Sequence, residues 1–402
     1  MIQIDSFIKS NVTKRMESMF KIDIDNNFEI LLSRIKDKSV LVIGGAGTIG
    51  SSYIRALLPF EPKSLVVVDI NENGLAELTR DLRSDAGLFV PEDFVTYPMS
   101  YADPVFTKMF IERGGFDIVA NFSAHKHVRS EKDRYSVEAL LENNVIRARR
   151  LLDLMVNYPP QHFFCVSTDK AANPVNIMGG SKKIMEEMIM AYSQLYPITT
   201  ARFANVAFSN GSLPAAFLER LNKQQPLSAP SDIKRYFVSP EESGQICLLA
   251  CILGKSGQIY FPKLKKEQEK SFGEIGINLL KEYGYSPLIC SSEQEALLAA
   301  KDLKNGNKNY PIILSSSDTS GEKPYEEFFT PSEEVNMHDY NALGVVVNMK
   351  PKAMNEIDQL FSNLENIFES PEATKAEIVA AMKEFLVNFD HIEKGKSLDS
   401  KM

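Results

Sequence analysis

A glycine-rich turn between an apolar run and a helical segment constrains the fold of this chain most strongly. The segment KSVLVIGGAGTIG ends its apolar run in the glycines Gly44, Gly47 and Gly50, and SSYIRALL continues with helical periodicity. Glycine permits the tight turn, lets the backbone approach a pyrophosphate, and allows the helix to pack closely on the sheet. In this strand–turn–helix context the pattern predicts a dinucleotide-binding unit, in which Thr48 and Ile49 also contact the dinucleotide.

The second apolar run, SLVVVDI (64–70), indicates which dinucleotide binds. It ends in Asp69, 19 residues after Gly50. A carboxylate at this point accepts hydrogen bonds from the adenosine ribose hydroxyls and repels a 2′-phosphate. Because the INE segment that follows supplies no cation, we expect NAD rather than NADP as the cofactor.

Apolar runs and helical segments alternate along the first half of the chain. Further strands are predicted at DFVTYPM, FDIVANFSA, HFFCVST and ITTARFANV, with helices between most of them. Alternation of this kind favours a parallel sheet covered by helices on both faces. The predicted fold class is therefore α/β: a Rossmann-like doubly wound parallel sheet with a smaller α/β C-terminal region and terminal helices.

The pattern divides the chain into four regions. We expect an N-terminal extension over 1–37, an NAD-binding domain over 38–205, a substrate-binding region over 206–345 and a helical tail over 346–402. Later segments of the third region return to the first domain. In that region QPLSAPSD is interpreted as a loop, and Ser239 is expected to cap a helix over SPEESGQICLLACIL. The extension and the tail are expected to cover the core or to join subunits of a homo-oligomer.

Composition and charge argue against several other classes of protein. The net charge of −8, from 45 basic and 53 acidic residues without a long basic run, argues against nucleic-acid binding. The longest apolar run has about eight residues, against ~20 for a membrane helix, so we expect neither a membrane span nor a secretory signal. The four cysteines lack CxxC spacing and are interpreted as buried core thiols in a cytoplasmic protein, without a metal site.

Reactive polar residues follow the fifth predicted strand, in the sequence Ser-Thr-Asp-Lys (167–170). The carboxyl ends of parallel strands face the ligand crevice of a doubly wound sheet, so Asp169 and Lys170 would lie beside the cofactor. An adjacent acid and base shift each other's pKa, which suits proton transfer. Met178 and Lys182 follow at i and i+4 on one face of the next helix.

Together these motifs resemble the extended short-chain dehydrogenases/reductases, specifically the nucleotide-sugar 4,6-dehydratases of the polysaccharide-biosynthesis (CapD-like) type. The resemblance covers roughly residues 38–345, with the motifs in family order. The matching segments are GGAGTIG, Asp69, SAHKHV (123–128), Asn144-Val145, STDKAANPVNIMGGSK (167–182), ARFANVAFSNGSLPAAF (201–217), KRYFVSPEE (234–242) and GEKPYEE (321–327).

The resemblance implies a lyase that carries out NAD-dependent 4,6-dehydration of a UDP-N-acetylhexosamine, with UDP-N-acetylglucosamine as the expected substrate. Hydride leaves sugar C4, water is eliminated across C5 and C6, and hydride returns to C6. By motif position, Lys182 would bind the nicotinamide ribose and polarise the C4 oxygen, and Thr168 would contact a substrate oxygen. Asp169 and Lys170 would be the acid/base pair of the elimination, with either assignment of the two steps open.

Met178 departs from the commonest pattern of this superfamily. Most short-chain dehydrogenases carry a tyrosine base four residues before the lysine, and methionine cannot deprotonate a hydroxyl. A subset of UDP-N-acetylglucosamine 4,6-dehydratases resembles this Ser-Met-Lys arrangement and retains the configuration at C5. The resemblance therefore implies a C5-retaining enzyme.

The same resemblance implies further contacts to the cofactor and to the nucleotide sugar. The loop that contains Ser123, Ala124 and Lys126 would lie along both ligands, with Lys126 on the sugar or a phosphate. The remaining implied contacts are Asn205 and Ser209 beside the pyrophosphate, Arg235 paired with it, and Glu322 and Lys323 near the uridine.

Two other functions stay open at this point. A nucleotide-sugar 4-epimerase would oxidise C4 transiently, although it needs no elimination acid and the missing tyrosine weighs against it. A non-catalytic nucleotide-sugar-binding protein would hold the cofactor without turnover.

Overall fold

A nine-stranded sheet forms the centre of the molecule, for which the computed structural model describes residues 3–127, 131–316 and 325–391. The strands are β1 Ser39–Ile43, β2 Ser64–Asp69, β3 Asp93–Pro98, β4 Ile118–Asn121, β5 His162–Val166, β6 Ile198–Ala201, β7 Asn205–Val206, β8 Leu227–Pro230, β9 Lys234–Arg235, β10 Phe237–Val238, β11 Ile259–Pro262, β12 Lys270–Ser271, β13 Ser286–Cys290, β14 Asn309–Ser315, β15 Glu334–Asn336 and β16 Leu343–Val347. The helices are α1 Ile4–Phe7, α2 Lys21–Asn26, α3 Phe28–Ile35, α4 Thr48–Leu57, α5 Glu72–Ser84, α6 Pro104–Glu112, α7 Arg134–Leu141, α8 Arg147–Asn157, α9 Ile177–Tyr192, α10 Leu213–Asn222, α11 Pro240–Leu253, α12 Phe272–Glu282, α13 Glu293–Lys301, α14 Met354–Glu369 and α15 Lys375–Phe385.

Seven neighbouring strands of the central sheet run parallel, in the order β3-β2-β1-β4-β5-β6-β11. The antiparallel strands β16 and β15 extend the sheet beyond β11. The central strands β1 and β2 are rich in valine and almost fully buried, as parallel strands covered on both faces require. The strand order reverses between β1 and β4, and ligands bind at such a reversal, outside the carboxyl ends of the strands. The predicted doubly wound α/β class is confirmed.

A smaller parallel sheet, β13-β14-β8, lies with α10 and α12 around a second apolar cluster. The interpretation of QPLSAPSD as a loop is wrong, because Leu227–Pro230 pairs with β14 as strand β8. Leu227 and Ala229 are buried in this cluster, whereas the residues that alternate with them are more exposed. Pro226 precedes this edge strand and Pro230 ends it, at positions where proline is tolerated. The prolines make the alternation of buried and exposed residues difficult to recognise in the sequence.

The N-terminal extension contacts both apolar clusters. Phe7 packs into the smaller cluster, whereas Leu31 and Ile35 on α3 pack into the larger one. The side chain of Arg15 joins the extension to the start of α11, with hydrogen bonds of 2.7 and 2.6 Å to the carboxylate of Glu242. The extension therefore connects the central sheet with the smaller region.

The C-terminal helices α14 and α15, which the sequence predicts as an amphipathic pair, pack against each other, and α15 also contacts α9. Gly180 on α9 leaves room for this contact, since a Cβ there would lie 2.7 Å from Met382 Cε and 3.1 Å from Phe389 Cε2. Lys375 donates a hydrogen bond of 2.6 Å to the backbone oxygen of Glu131. The tail thus covers one side of α9 and holds the segment that precedes α7.

Several local predictions agree with the structure. Ser239 caps α11: its hydroxyl accepts a hydrogen bond from Glu242 N at 3.1 Å, and the Glu242 carboxylate accepts one from Ser239 N at 2.8 Å. All four cysteines are buried and form no disulfide, which confirms their interpretation as core thiols. In the described parts of the chain, every helix is too short or too polar to cross a membrane.

A buried ion network joins the carboxyl end of β6 to α9 and to the segment 325–333. The Arg202 guanidinium is fully buried and donates hydrogen bonds of 2.9 and 2.7 Å to Glu186 and of 2.8 and 2.7 Å to Glu333. It also donates to the backbone oxygen of Phe328 at 3.0 Å. Because each charge has hydrogen-bonded partners, the network fixes the relative positions of these three elements.

Replacing Arg202 with methionine would remove the counter-charge of Glu333 and leave Glu186 with the more distant ammonium group of Lys183, 3.7 Å away. We expect the free energy of unfolding to fall by about 3–5 kcal/mol, the usual cost of breaking a buried ion pair. The matched control is Arg80→Met, which removes an exposed pair with Glu77 and should change the free energy by less than about 1 kcal/mol. Urea unfolding followed by circular dichroism measures both, and equal losses in the two variants would contradict this assignment.

Gly50 allows α4 to pack on the glycine turn, because a Cβ at this position would lie 2.4 Å from Gly44 O. We expect Gly50→Ala to destabilise the protein by about 1–3 kcal/mol through overpacking. Gly47→Ala is the matched control, since its Cβ would meet Gly44 O at an ordinary 3.4 Å. Thermal unfolding should show a lower melting temperature for the Gly50 variant alone.

Candidate active site

The glycine turn and the 167–170 segment leave the central sheet at the same edge. Ile43, Asn121 and Cys165 are aligned in one row across β1, β4 and β5. Two strand spacings of ~4.8 Å therefore separate the carboxyl ends of β1 and β5 by about 10 Å. The topology brings the two motifs predicted to carry the chemistry to the same end of the sheet, on the two sides of the reversal in strand order.

The glycine turn forms an open cradle at the start of α4. Gly44 has a φ of +74°, and a Cβ there would lie 2.7 Å from Ser123 N, so the turn touches the loop of Ser123 and Ala124 after β4. Gly47 faces open space, since among the described atoms its Cβ would meet Gly44 O alone within 4 Å. Thr48 and Ile49 begin α4, whose unpaired N-terminal amides lie beside this space. A pyrophosphate fits such a cradle.

Asp69 ends β2 and is tied to the glycine turn. Its Oδ2 accepts a hydrogen bond from Ala46 N at 3.0 Å, and its Oδ1 accepts one from Asn71 N at 2.9 Å. These contacts hold the carboxylate at the point where this fold binds the adenosine ribose.

Asn144 clamps the loop after β4 to α9. Its side-chain amide donates to the backbone oxygen of His125 at 2.9 Å and to Ser181 Oγ at 3.1 Å. Its oxygen accepts a hydrogen bond from His125 N at 2.8 Å. Since Asn144 is almost fully buried, these bonds fix the loop against the helix that carries Lys182.

The loop after β7 lies over the glycine turn. Lys126 Nζ donates to the backbone oxygen of Asn210 at 2.8 Å, and Asn210 N donates to Thr48 Oγ1 at 3.0 Å. Burial lowers the pKa of Lys126 below its usual value. Ser209 is buried beside Asn210, and Asn205 begins β7. Lys126 is thus linked through Asn210 to Thr48, the first residue of α4, and Ser209 precedes Asn210 in the chain.

Buried Asp169 and partly buried Lys170 form an ion pair directly after β5. Lys170 Nζ lies 3.0 Å from Asp169 Oδ1, and Thr168 Oγ1 donates to the same oxygen at 2.9 Å. Burial lowers the pKa of Lys170, but the charges of Asp169 and Glu326 outweigh it, so the pKa lies above its usual value. A carboxylate and a protonated amine in contact can accept and supply a proton in one reaction.

Glu326 connects this pair to Arg235. Its Oε1 lies 3.5 Å from Lys170 Nζ and 3.6 Å from a guanidinium nitrogen of Arg235. Both side chains are buried. Arg235, for which the sequence predicts a pyrophosphate partner, therefore contacts a carboxylate of the protein itself.

Lys182 and Met178 are both buried on α9. Lys182 Nζ donates to the backbone oxygen of Val166 at 2.8 Å, at the end of β5. Burial lowers the pKa of Lys182 below its usual value. Met178 N donates to Glu131 Oε1 at 2.9 Å, and the Met178 side chain packs in the apolar core. A thioether at this position cannot exchange a proton with a substrate.

Sequence reasoning missed three residues that shape the site. Asn144 clamps a loop to α9, Glu131 accepts a hydrogen bond from Met178 N at the start of α9, and Glu326 contacts Lys170. Glu326 lies in the GEKPYEE segment, but its spacing does not distinguish it from the adjacent Glu327. The contact with Lys170 is visible only in three dimensions. Glu322 and Lys323, predicted near the uridine, lie outside the described residues.

Comparison with relatives of named activity gives two kinds of sugar-nucleotide enzyme. A UDP-N-acetylglucosamine 4,6-dehydratase (inverting) of Campylobacter jejuni is 21% identical, over 76% of this chain and 88% of the relative. A UDP-glucose 4-epimerase of Rickettsia felis is 25% identical, over 83% of this chain and 98% of the relative. The X-ray structure of Pen from Bacillus thuringiensis shares the fold, with a TM-score of 0.64 at 19% identity over 82% of this chain and 98% of that one.

The family itself follows from a relative of higher identity and from a family model. A protein of Methanocaldococcus jannaschii, named as an uncharacterized membrane protein, is 31% identical over 72% of this chain and 94% of its own length. The chain spans about half of the probable polysaccharide biosynthesis protein EpsC of Bacillus subtilis, at 26% identity over 72% of this chain and 47% of EpsC. Residues 40–346 match the family described as polysaccharide biosynthesis protein. The predicted family resemblance is confirmed, and the chain belongs to this polysaccharide biosynthesis family.

Proposed function

We propose that this protein is an NAD-dependent dehydratase that converts a UDP-N-acetylhexosamine, with UDP-N-acetylglucosamine as the expected substrate, into its 4-keto-6-deoxy form. The observation that carries the proposal is the Asp169–Lys170 ion pair, which follows β5 at the same end of the sheet as the glycine cradle after β1. Elimination of water across C5 and C6 needs a base for the C5 proton and an acid for the leaving C6 hydroxyl. The similarity to a named 4,6-dehydratase supports the same reaction.

The cradle and its surroundings fit NAD. The space beside Gly47 would take the pyrophosphate, and Asp69 would accept hydrogen bonds from the adenosine ribose. Lys182, whose ammonium group lies at the end of β5, would bind the nicotinamide ribose. When bound, NAD would accept a hydride from sugar C4 and return it to C6.

The residues after β5 would move the protons. One of Asp169 and Lys170 would take the C5 proton while the other protonates the C6 hydroxyl, so that a C5–C6 double bond forms and one water leaves. The protonated base would return a proton to C5 when hydride is added at C6. Thr168, which now donates to Asp169, would turn its hydroxyl to a substrate oxygen. Lys182 would polarise the C4 oxygen, which makes the C4 hydroxyl proton easier to remove.

The diphosphate of the substrate would lie between the cradle and the smaller region. Lys126 and Arg235 are the cations proposed to face it, with Asn205 and Ser209 beside it. The guanidinium of arginine matches phosphate oxygens in a two-pronged geometry, which suits this role.

Met178 separates this proposal from the 4-epimerase. A thioether stands where most short-chain dehydrogenases carry a tyrosine base, and the Asp169–Lys170 pair supplies an acid that epimerisation does not need. Because Met178 resembles the residue of the C5-retaining dehydratases, we also propose that the reaction retains the configuration at C5. Because the Campylobacter jejuni relative is named as inverting, the stereochemistry needs to be measured on this protein.

Incubation of the purified protein with UDP-N-acetylglucosamine and no added cofactor is expected to give a product that has lost one water. The hydride taken from C4 is returned to C6, so NADH should not accumulate. Mass spectrometry follows the reaction, and NMR of the product formed in D2O reports deuterium at C5 and its configuration. An isomer of unchanged mass would establish epimerisation, and unchanged substrate with a bound cofactor would indicate binding without turnover. Either result contradicts the proposal.

Substitution of Lys170 tests the acid/base pair directly. We expect Lys170→Met to lower kcat for dehydration by about 100-fold or more, because general acid–base groups contribute rate factors of this size. The matched control is Lys108→Met on the exposed face of α6, where the lysine faces Glu112 at 4.0 Å, and it should leave kcat unchanged. A folded Lys170 variant with wild-type turnover would remove this residue from the mechanism.

A further inference from the structure

The carboxylate of Glu326 is shared by two cations with different proposed roles. Its Oε1 lies 3.5 Å from Lys170 Nζ and 3.6 Å from the Arg235 guanidinium. Lys170 belongs to the acid/base pair, whereas Arg235 is proposed to bind the diphosphate. One oxygen atom therefore links the two ends of the site.

The backbone on either side of this contact is anchored. Arg202 donates to the backbone oxygen of Phe328 at 3.0 Å, and Asn173 donates to Glu327 at 2.8 Å. The ring of Phe328 packs on Tyr236, with ring centroids 5.5 Å apart, directly after Arg235. The Glu326 side chain is only 4% exposed. The carboxylate is thus held in place by its neighbours along the chain as well as by the two cations.

The charges around Lys170 make its proton sensitive to the state of Arg235. Asp169 and Glu326 raise the pKa of Lys170, while burial and the charge of Arg235 lower it. A diphosphate bound to Arg235 would neutralise the guanidinium and compete with Glu326 for it. The negative charge of Glu326 would then be shared less with Arg235, and both changes favour the protonated amine of Lys170.

We propose that Glu326 is a positioning residue that couples diphosphate binding at Arg235 to retention of the proton on Lys170. The inference rests on the proposed function, because it takes a nucleoside diphosphate as the ligand. It assigns the acid of the elimination to Lys170 and the base to Asp169, since a bound substrate keeps the amine protonated next to the C6 hydroxyl. Reciprocally, the proton on Lys170 strengthens diphosphate binding by the same factor.

Chemical labelling of Lys170 tests the coupling without turnover. The wild type, Glu326→Gln and the matched control Glu327→Gln are treated with acetic anhydride over a range of pH, and acetylation of Lys170 is quantified by peptide mass spectrometry. Only the unprotonated amine reacts. We expect Glu326→Gln to lower the labelling midpoint by about one pH unit or more, because it removes one of two carboxylates near the amine. The Glu327→Gln substitution should leave the labelling midpoint unchanged, because Glu327 contacts Asn173 rather than Lys170.

UDP serves as the diphosphate probe in the same experiment. In the wild type, saturating UDP is expected to raise the midpoint by about one pH unit, and in Glu326→Gln by less than half of that. Glu326→Asp keeps the charge on a shorter side chain, so its midpoint should fall between those of the wild type and the Gln variant. This variant replaces the Gln variant if circular dichroism shows that the latter is unfolded.

Two results would overturn the inference: a wild-type midpoint in the folded Gln variant, or equal UDP-induced shifts in that variant and the wild type. These outcomes are separate from failure of the proposed reaction. A protein that shows the expected midpoints and UDP shifts but leaves UDP-N-acetylglucosamine unchanged would support the coupling and contradict the dehydration.

Discussion

The buried guanidinium of Arg202 holds together the parts of the chain that build the site. Burying an ion costs several kcal/mol, and this cost is offset only when the geometry and the hydrogen bonding are nearly complete. Arg202 meets that condition by binding Glu186 on α9 and Glu333, which lies 131 residues further along the chain. Its bond to the Phe328 backbone fixes the segment that delivers Glu326 to Lys170. The network therefore fixes the positions of α9, the end of β6 and the 325–333 segment relative to one another.

The parts of the fold that the sequence predicts are those with a local cause. The β1–turn–α4 unit follows from an apolar run that ends in glycines, and the Ser239 cap follows from the hydroxyl and carboxylate of its own first turn. The sequence does not predict strands β11, β14 and β16, because short apolar runs such as LGVVV do not indicate their partners. The loop predicted over strand β8 is wrong for a related reason, since the pairing of β8 with β14 depends on residues far along the chain.

The same distinction applies to the candidate site. Asp169, Lys170 and Lys182 could be predicted because the end of a buried strand and a helix of regular period determine where they lie. Glu326 could not, because its contact with Lys170 needs the return of a segment from the distant C-terminal part of the sequence. Asn173 and Glu327, which bond 154 residues apart, illustrate the same dependence on tertiary structure. Arg235 is an intermediate case, since its charge and its motif are visible in the sequence but its carboxylate partner is not.

The two lysines at the carboxyl ends of the strands, Lys170 and Lys182, have pKa values shifted in opposite directions. Lys182 donates to a backbone carbonyl, so burial dominates and lowers its pKa. Lys170 lies between two carboxylates, which outweigh burial and raise its pKa. Titratable groups whose environments separate their pKa values are suited to opposite acid and base tasks. Under the proposed function, Lys182 would polarise the C4 oxygen beside Met178, which has no proton to exchange, and Lys170 would hold its proton for the leaving hydroxyl at C6.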